Sequence, residues 1–195
     1  MGLQAAVTVA PSRCSWASDE EAMQRYHDTV WGVPQRDPNV LFEFLTLEGA
    51  QAGLSWRTIL HKRDGYRAAF AGFVVGKIAA FTANDVERLM HDASIVRNRS
   101  KITSTIGNAR AWLLLDDPVS LIWSFVDGSP VQRTFASMSD VPSTSAVSDR
   151  MSKELKRRGF RFVGSTICYA YMQACGLVND HVVTCFRCDE CAALG

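Results

Sequence analysis

Hydrophobic positions along this chain recur at helical spacing in one segment after another. Asp37 and Pro38 make an N-cap with a proline in the first turn, and Leu41, Phe44, Leu45 and Ala52 follow at helical spacing, which predicts a helix. Thr82 and Asp85 resemble a capping pair ahead of Val86, Leu89 and Met90, although the usual partner is Glu or Gln. Ile102, Ile106, Ala109 and Leu113 trace another stripe through a segment that ends near Asp117 and Pro118. Ser148 can cap a helix carrying Met151 and Leu155 that Gly159 closes, and a last helix is expected over about 165–175, with Gly176 just beyond it. Period-two alternation is missing. The expected fold class is all-α, with 129–148, rich in Ser, Thr and Pro, as a loop crossing between helical layers.

Composition narrows the picture. At 195 residues and 47% hydrophobic, the chain is long enough for one domain with a real core, so wholesale disorder is excluded. Lys and Arg total 21 against 20 acidic residues, which argues against a uniformly cationic nucleic-acid coat but leaves room for a local patch. No apolar run approaches the ~20 residues of a membrane span, so no membrane partner is expected. Residues 5–10 are mildly apolar, but no positive residue precedes them, and no secretory signal is expected. Gly2 follows Met1, yet position 6 is Ala6, so the myristoylation pattern fails. Residues 1–13 read as a flexible tail. Six cysteines are too sparse for a disulfide scaffold, which points to a reduced, cytoplasmic protein. Neither GxGxxG nor GxxxxGK[ST] is present, so no nucleotide cofactor is expected.

Chemistry has four candidate seats. Glu48 lies seven residues beyond Leu41, on the apolar stripe, where a carboxylate costs several kcal/mol unless it is paired; a helix breaking at Gly49 would instead leave it solvated. Trp16, Tyr26, Trp31 and Trp56 put four of the nine Trp and Tyr residues in the first 56 positions. Aromatic faces beside a carboxylate suit a flat, polar, cationic heterocycle, and equally an ordinary aromatic core. Cys14 with His27, and His181 with Cys185, make a Cys2His2 set suited to tetrahedral zinc that would pin the two ends of the chain together. Cys188 and Cys191 could replace or compete with Cys185. Finally, Lys153, Lys156, Arg157, Arg158 and Arg161 against Glu154 give a local +4, and Arg97, Arg99 and Lys101 form a smaller group before the Ile102 helix. Such groups can hold phosphate or simply be solvated.

Longer strings are more specific. Tyr26-His27-Asp28, Trp31-Gly32-Val33-Pro34, Leu47-Glu48-Gly49 and Gln51-Ala52-Gly53-Leu54-Ser55-Trp56 resemble the bacterial 3-methyladenine DNA glycosylase I family. So do Gly107-Asn108-Ala109-Arg110, Arg158-Gly159-Phe160, Phe162-Val163-Gly164 and Thr166-Ile167-Cys168-Tyr169. The run from Met172 through Asp180 to His181 completes a likeness that covers about 14–185.

That resemblance implies a helix-hairpin-helix glycosylase fold, expected over 14–187 with a C-terminal tail at 188–195; no heptad or large apolar surface stripe points away from a monomer. It implies excision of N3-methyladenine from alkylated double-stranded DNA, with free 3-methyladenine as product. The family's base-recognising residues fall on Glu48, Tyr26 and Trp56, with Trp16, Trp31 and Met23 completing the pocket. Its DNA-gripping hairpin falls on about 94–101, with backbone contacts from Arg97, Arg99, Ser100 and Lys101. Its zinc ligands, one structural ion per chain, fall on Cys14, His27, His181 and Cys185. The chain departs from the family pattern at Met23, where a tyrosine is expected, at Val30, where an acid is expected, and at Ser94 and Ser100, where glycines are expected. If either serine needs positive φ, it carries a steric cost. These departures motivate a rival reading, a zinc-pinned module that recognises damaged DNA or a free purine without cleaving it.

Overall fold

The computed structural model describes residues 11–17 and 20–195. The expectations for residues 1–10 lie outside the described residues.

The molecule is organised around α2 (Pro38–Gln51). The Asp37 carboxylate accepts from the Asn39 and Val40 N–H groups at 2.7 and 3.2 Å, and Pro38 occupies the first turn. A single apolar stripe was expected here, but every residue from Leu41 to Ala50 is buried. The reason is tertiary: α3 (Trp56–Leu60), α7 (Arg99–Trp112) and α10 (Ser165–Ala174) all pack against α2, so no face meets solvent. Ala52 is the C-cap rather than part of the stripe.

Two helices joined by a short turn flank this centre. In α6 (Ala83–His91) the Asp85 carboxylate accepts from the Thr82 N–H at 2.9 Å and from its hydroxyl at 3.1 Å, so Asp does serve in the capping pair. Asn98 caps α7 by accepting from the Lys101 N–H. Helix α7 packs on α6 and on α5 (Val75–Ala79). Its predicted stripe runs too far, because the helix stops at Trp112 and Leu113 is 55% exposed.

The start of α9 (Ala146–Arg157) corrects the expected cap. Ser145 is the N-cap, and its hydroxyl accepts from the Ser148 N–H while the Ser148 hydroxyl accepts from the Ser145 N–H. Helix α10 follows the expected bounds. Beyond it, Gly176 has φ +68°, and an added Cβ would lie 2.4 Å from the Val33 and Pro34 backbone. Only glycine lets these strands of chain pass.

Among the described residues, six helices were not anticipated: α1 (Glu21–Thr29), α3, α4 (Arg63–Ala69), α5, α8 (Pro118–Ser124) and α11 (Arg187–Ala192). The buried face of α1 is Met23, Tyr26 and His27, too polar to read as an apolar stripe. Helix α11 occupies the segment expected as a tail, and it buries Cys191. Inside the expected loop, β1 (Val131–Gln132) pairs in parallel with β2 (Val178–Asn179). Two-residue strands are too short to show a period. Among the described residues, no helix is long and apolar enough to cross a membrane.

Candidate functional site

Helices α1, α2, α3 and α10, with the short turns Ser15–Ala17 and Met138–Asp140, wall a cavity of about 230 Å³. Trp16, Met23, Tyr26, Trp31, Glu48 and Trp56, all singled out in the sequence, line this one space. Ring centroids lie 4.9 Å apart for Tyr26 and Trp56, and 5.0 Å apart for Trp16 and Trp31. The Trp56 indole N–H is buried without a partner among the described residues. Burial, and then the neighbouring Glu48, push the Tyr26 phenol well above its usual range, so it stays a neutral hydroxyl.

Helix α2 buries two carboxyl groups with opposite fates. Glu43 meets Arg63 at 2.6 Å and Arg67 at 3.0 Å, as a structural buried acid should. Glu48, 4% exposed, has neither hydrogen bond nor ion pair among the described residues, and it faces the cavity. Burial alone pushes its carboxyl from 4.5 up to about 8. An unpaired acid at the wall of an aromatic cavity is arranged for something that enters the cavity.

Beside it, Cys14, His27, His181 and Cys185 bring four ligand atoms within 4.8 Å of one another, all buried. The Cys185 sulfur lies 3.4 Å from His27 Nε2 and 3.4 Å from His181 Nδ1, and the Cys14 sulfur lies 3.6 Å from His181 Nδ1. Bonds of ~2.3 Å to sulfur and ~2.0 Å to nitrogen at tetrahedral angles put S and N about 3.5 Å apart. The far ring nitrogens are also engaged. His27 Nδ1 lies 2.8 Å from Asp28, itself gripped by Arg13 at 2.7 Å, and His181 Nε2 lies 3.2 Å from the Trp31 carbonyl. A carboxylate behind one imidazole and a carbonyl behind the other turn the inner nitrogens' lone pairs toward the sulfurs, where the Cys14 N–H donates to His27 Nε2 at 3.3 Å. The Cys14 thiol, together with the His181 and His27 rings, holds the Cys185 thiol far below its ordinary range. Cys188 and Cys191 lie outside this group, although Cys191 is buried against Gly32.

The turn between α6 and α7 carries the smaller basic group. Arg97 and Ser100 are exposed, while Arg99 is paired with Glu87 at 2.7 Å. Lys101 turns inward: its ammonium donates to the Ala50 and Ala52 carbonyls at 2.8 and 2.7 Å. Ser94 and Ser100 do not have positive φ, so neither departure from glycine strains the backbone. In the larger cluster, Arg157 and Arg158 both bind Glu154, at 2.7 and 2.6 Å, the pattern of a solvated helix end.

Sequence reasoning missed several groups. Asp28 and Arg13 stand behind His27, and an acid adjacent to a candidate ligand was the available signal. Gln51, Met138, Ala170 and Gln173 complete the cavity wall; Gln51 and Gln173 lie in strings that carry the family resemblance but were not named as pocket residues, and no pattern marked Met138 or Ala170. A second hollow of about 380 Å³ lies beyond Tyr26, lined by Arg63 and Arg67, but those cations are spent on Glu43.

The chain is similar to known proteins along most of its length. A family model described as methyladenine glycosylase matches residues 16–188. DNA-3-methyladenine glycosylase 1 of Escherichia coli K12 is 52% identical over 177 residues, 89% of this chain and 95% of the relative. A crystal structure of 3-methyladenine DNA glycosylase I superposes with a TM-score of 0.88 at 50% identity, covering 90% of this chain and 98% of the other. A tyrosine-to-phenylalanine variant of a 3-methyladenine DNA glycosylase I, in complex with 3-methyladenine, gives 0.86 at 34% identity, covering 89% and 96%.

Proposed function

The chain belongs to the methyladenine glycosylase family, and on that premise we propose that it excises N3-methyladenine from alkylated DNA, leaving an abasic site. The observation that carries the reading is Glu48, a buried and unpaired carboxyl in an aromatic cavity.

Methylation at N3 leaves adenine cationic within DNA and weakens its glycosidic bond. Flipping the nucleotide out costs a few kcal/mol of unstacking, which the pocket must recover. Tyr26 and Trp56 offer faces to a cationic ring, and the buried Glu48 carboxylate attracts its charge and accepts from its N–H donors. Trp16, Trp31 and Met23 close the remaining wall. Water then adds its oxygen to the sugar carbon through an oxocarbenium-like state and gives up a proton. The bonding pair leaves with the base as neutral 3-methyladenine. Similarity to the family suggests that no strong carboxylate base activates that water, so binding and positioning carry most of the catalysis.

The α6–α7 pair acts as the helix-hairpin-helix element. Arg97, Ser100 and, once released from Glu87, Arg99 are free to meet phosphate. Lys101 is held by the pocket's own lip, so its part is to join hairpin to pocket. The four-residue Cys2His2 set fits one structural zinc per chain, held by Cys14, His27, His181 and Cys185 with no position open for water. The same proposal takes 14–187 as the glycosylase domain and the protein as a cytoplasmic monomer, its six cysteines being too sparse for a disulfide scaffold.

The test is chromatography of bases released from methylated duplex DNA by the wild type and by Glu48→Gln. Turnover of 3-methyladenine that falls at least tenfold in the variant is expected. Lesion binding with no release by a folded wild type would establish the non-cleaving module instead.

A further inference from the structure

The cavity has three wall residues with carboxyl or amide ends: Glu48, Gln51 and Gln173. They differ in whether their hydrogen-bonding sense is fixed. A carboxyl donates when protonated and only accepts when ionised. A free amide can turn over and present either its oxygen or its nitrogen, and among the described residues Gln51 has no side-chain hydrogen bond that would prevent this. Glu48 and Gln51 can therefore adapt to a donor or an acceptor on whatever enters.

Gln173 cannot. Its Nε2 donates to Asp180 Oδ2 at 2.9 Å, and the same oxygen accepts from the Tyr169 hydroxyl at 2.6 Å. Asp180 is 1% exposed, and its other oxygen faces the Arg133 guanidinium at 4.0 Å. Turning the Gln173 amide over would set two acceptor oxygens against each other in a buried site. The Gln173 backbone is held too, since its carbonyl accepts from the Gly32 N–H at 3.0 Å. What remains is Oε1, a hydrogen-bond acceptor without a partner among the described residues, on a side chain that lines the cavity.

We propose that Gln173, fixed by Asp180, is the specificity-determining acceptor of the pocket, selecting purines that carry an amino group at C6 over purines that carry an oxo group there. The proposal rests on the glycosylase reading above and deepens it. Adenine's 6-amino group donates two hydrogen bonds, so Oε1 can take one while Glu48 takes the other. Guanine's 6-oxo group only accepts. A protonated Glu48 could satisfy that oxygen, but Oε1 would still oppose it, leaving two lone pairs in contact away from water. Asp180 touches no base and acts only through Gln173, as a positioning residue.

The experiment uses duplex DNA methylated to contain both N3-methyladenine and N3-methylguanine, and measures the ratio of kcat/KM for the two bases. Wild type, Gln173→Met and Asp180→Asn are compared, with metal content checked because Asp180 adjoins His181. Gln173→Met removes the acceptor at similar size, and Asp180→Asn frees the amide to turn over. Both variants are expected to lower the adenine-to-guanine ratio by about tenfold or more. In Asp180→Asn this should come mainly from a gain on the guanine lesion. An unchanged ratio in a folded, metal-containing Gln173→Met would overturn the proposal, and if that variant does not fold, an unchanged ratio in Asp180→Asn does so. Failure of the wild type to release 3-methyladenine would instead overturn the glycosylase reading.

Discussion

Glu43 and Glu48 lie five residues apart on one helix, and the contrast between them shows how single side chains divide structural from functional work. Glu43 has two arginines, whereas Glu48 faces the cavity with its carboxyl pushed up to about 8. In the free protein at neutral pH Glu48 therefore carries its proton, and a cationic base favours its loss. The expected pH profile of kcat/KM rises through neutrality and levels off above about 8, and the rising limb disappears in Glu48→Gln. Stability gives an independent reading. Glu48's folded value lies above its unfolded one, so any stability tied to its proton is complete below pH 4.5 and is lost as pH rises toward 8. Glu48→Gln, which mimics the protonated acid, should match the wild type near pH 4 and exceed it by a few kcal/mol at pH 9. Denaturant unfolding at the two pH values checks this, and equal stability at both would contradict it.

At the scale of elements, the informative joint is the one between α7 and the end of α2. The Lys101 ammonium caps the last carbonyls of the helix that carries Glu48, and burial lowers its pKa. A lysine that grips phosphate and a lysine that ties two elements together respond differently to salt. Removing a phosphate contact lowers the salt slope of DNA binding by about one. Lys101→Met is expected to leave that slope unchanged while lowering kcat, because the lip of the pocket loses its tie to the hairpin. Arg97→Ala should show the opposite signature, a shallower slope with kcat retained. Binding titrations over a range of salt, paired with single-turnover rates, distinguish the two.

Across the whole molecule, the Cys2His2 group joins residues near opposite ends of the described chain. Metal bound there would be coupled to folding, since no such site exists in the unfolded chain. Protein purified without chelator should hold one zinc per chain, and stripping the metal should lower Tm. Asp28→Asn, which touches no metal but weakens the support of His27, should cost about 10–100-fold in metal affinity. Full zinc retention in Cys185→Ser would shift the fourth ligand to Cys188 or Cys191.

The sequence by itself determined the helical class, the caps at Asp37 and Thr82, the Gly176 stop, and a residue set that the fold gathers into one cavity and one cluster. Apart from Met23, which the family resemblance placed, these follow from local rules: cap chemistry, apolar spacing, and residue types whose burial demands a partner. Tertiary structure decided the rest. It buried α2 on every side, paired Glu43 while leaving Glu48 alone, turned Lys101 inward and fixed the sense of the Gln173 amide. Each of these depends on what a distant segment places within about 3 Å, a contact that spacing along one helix does not record.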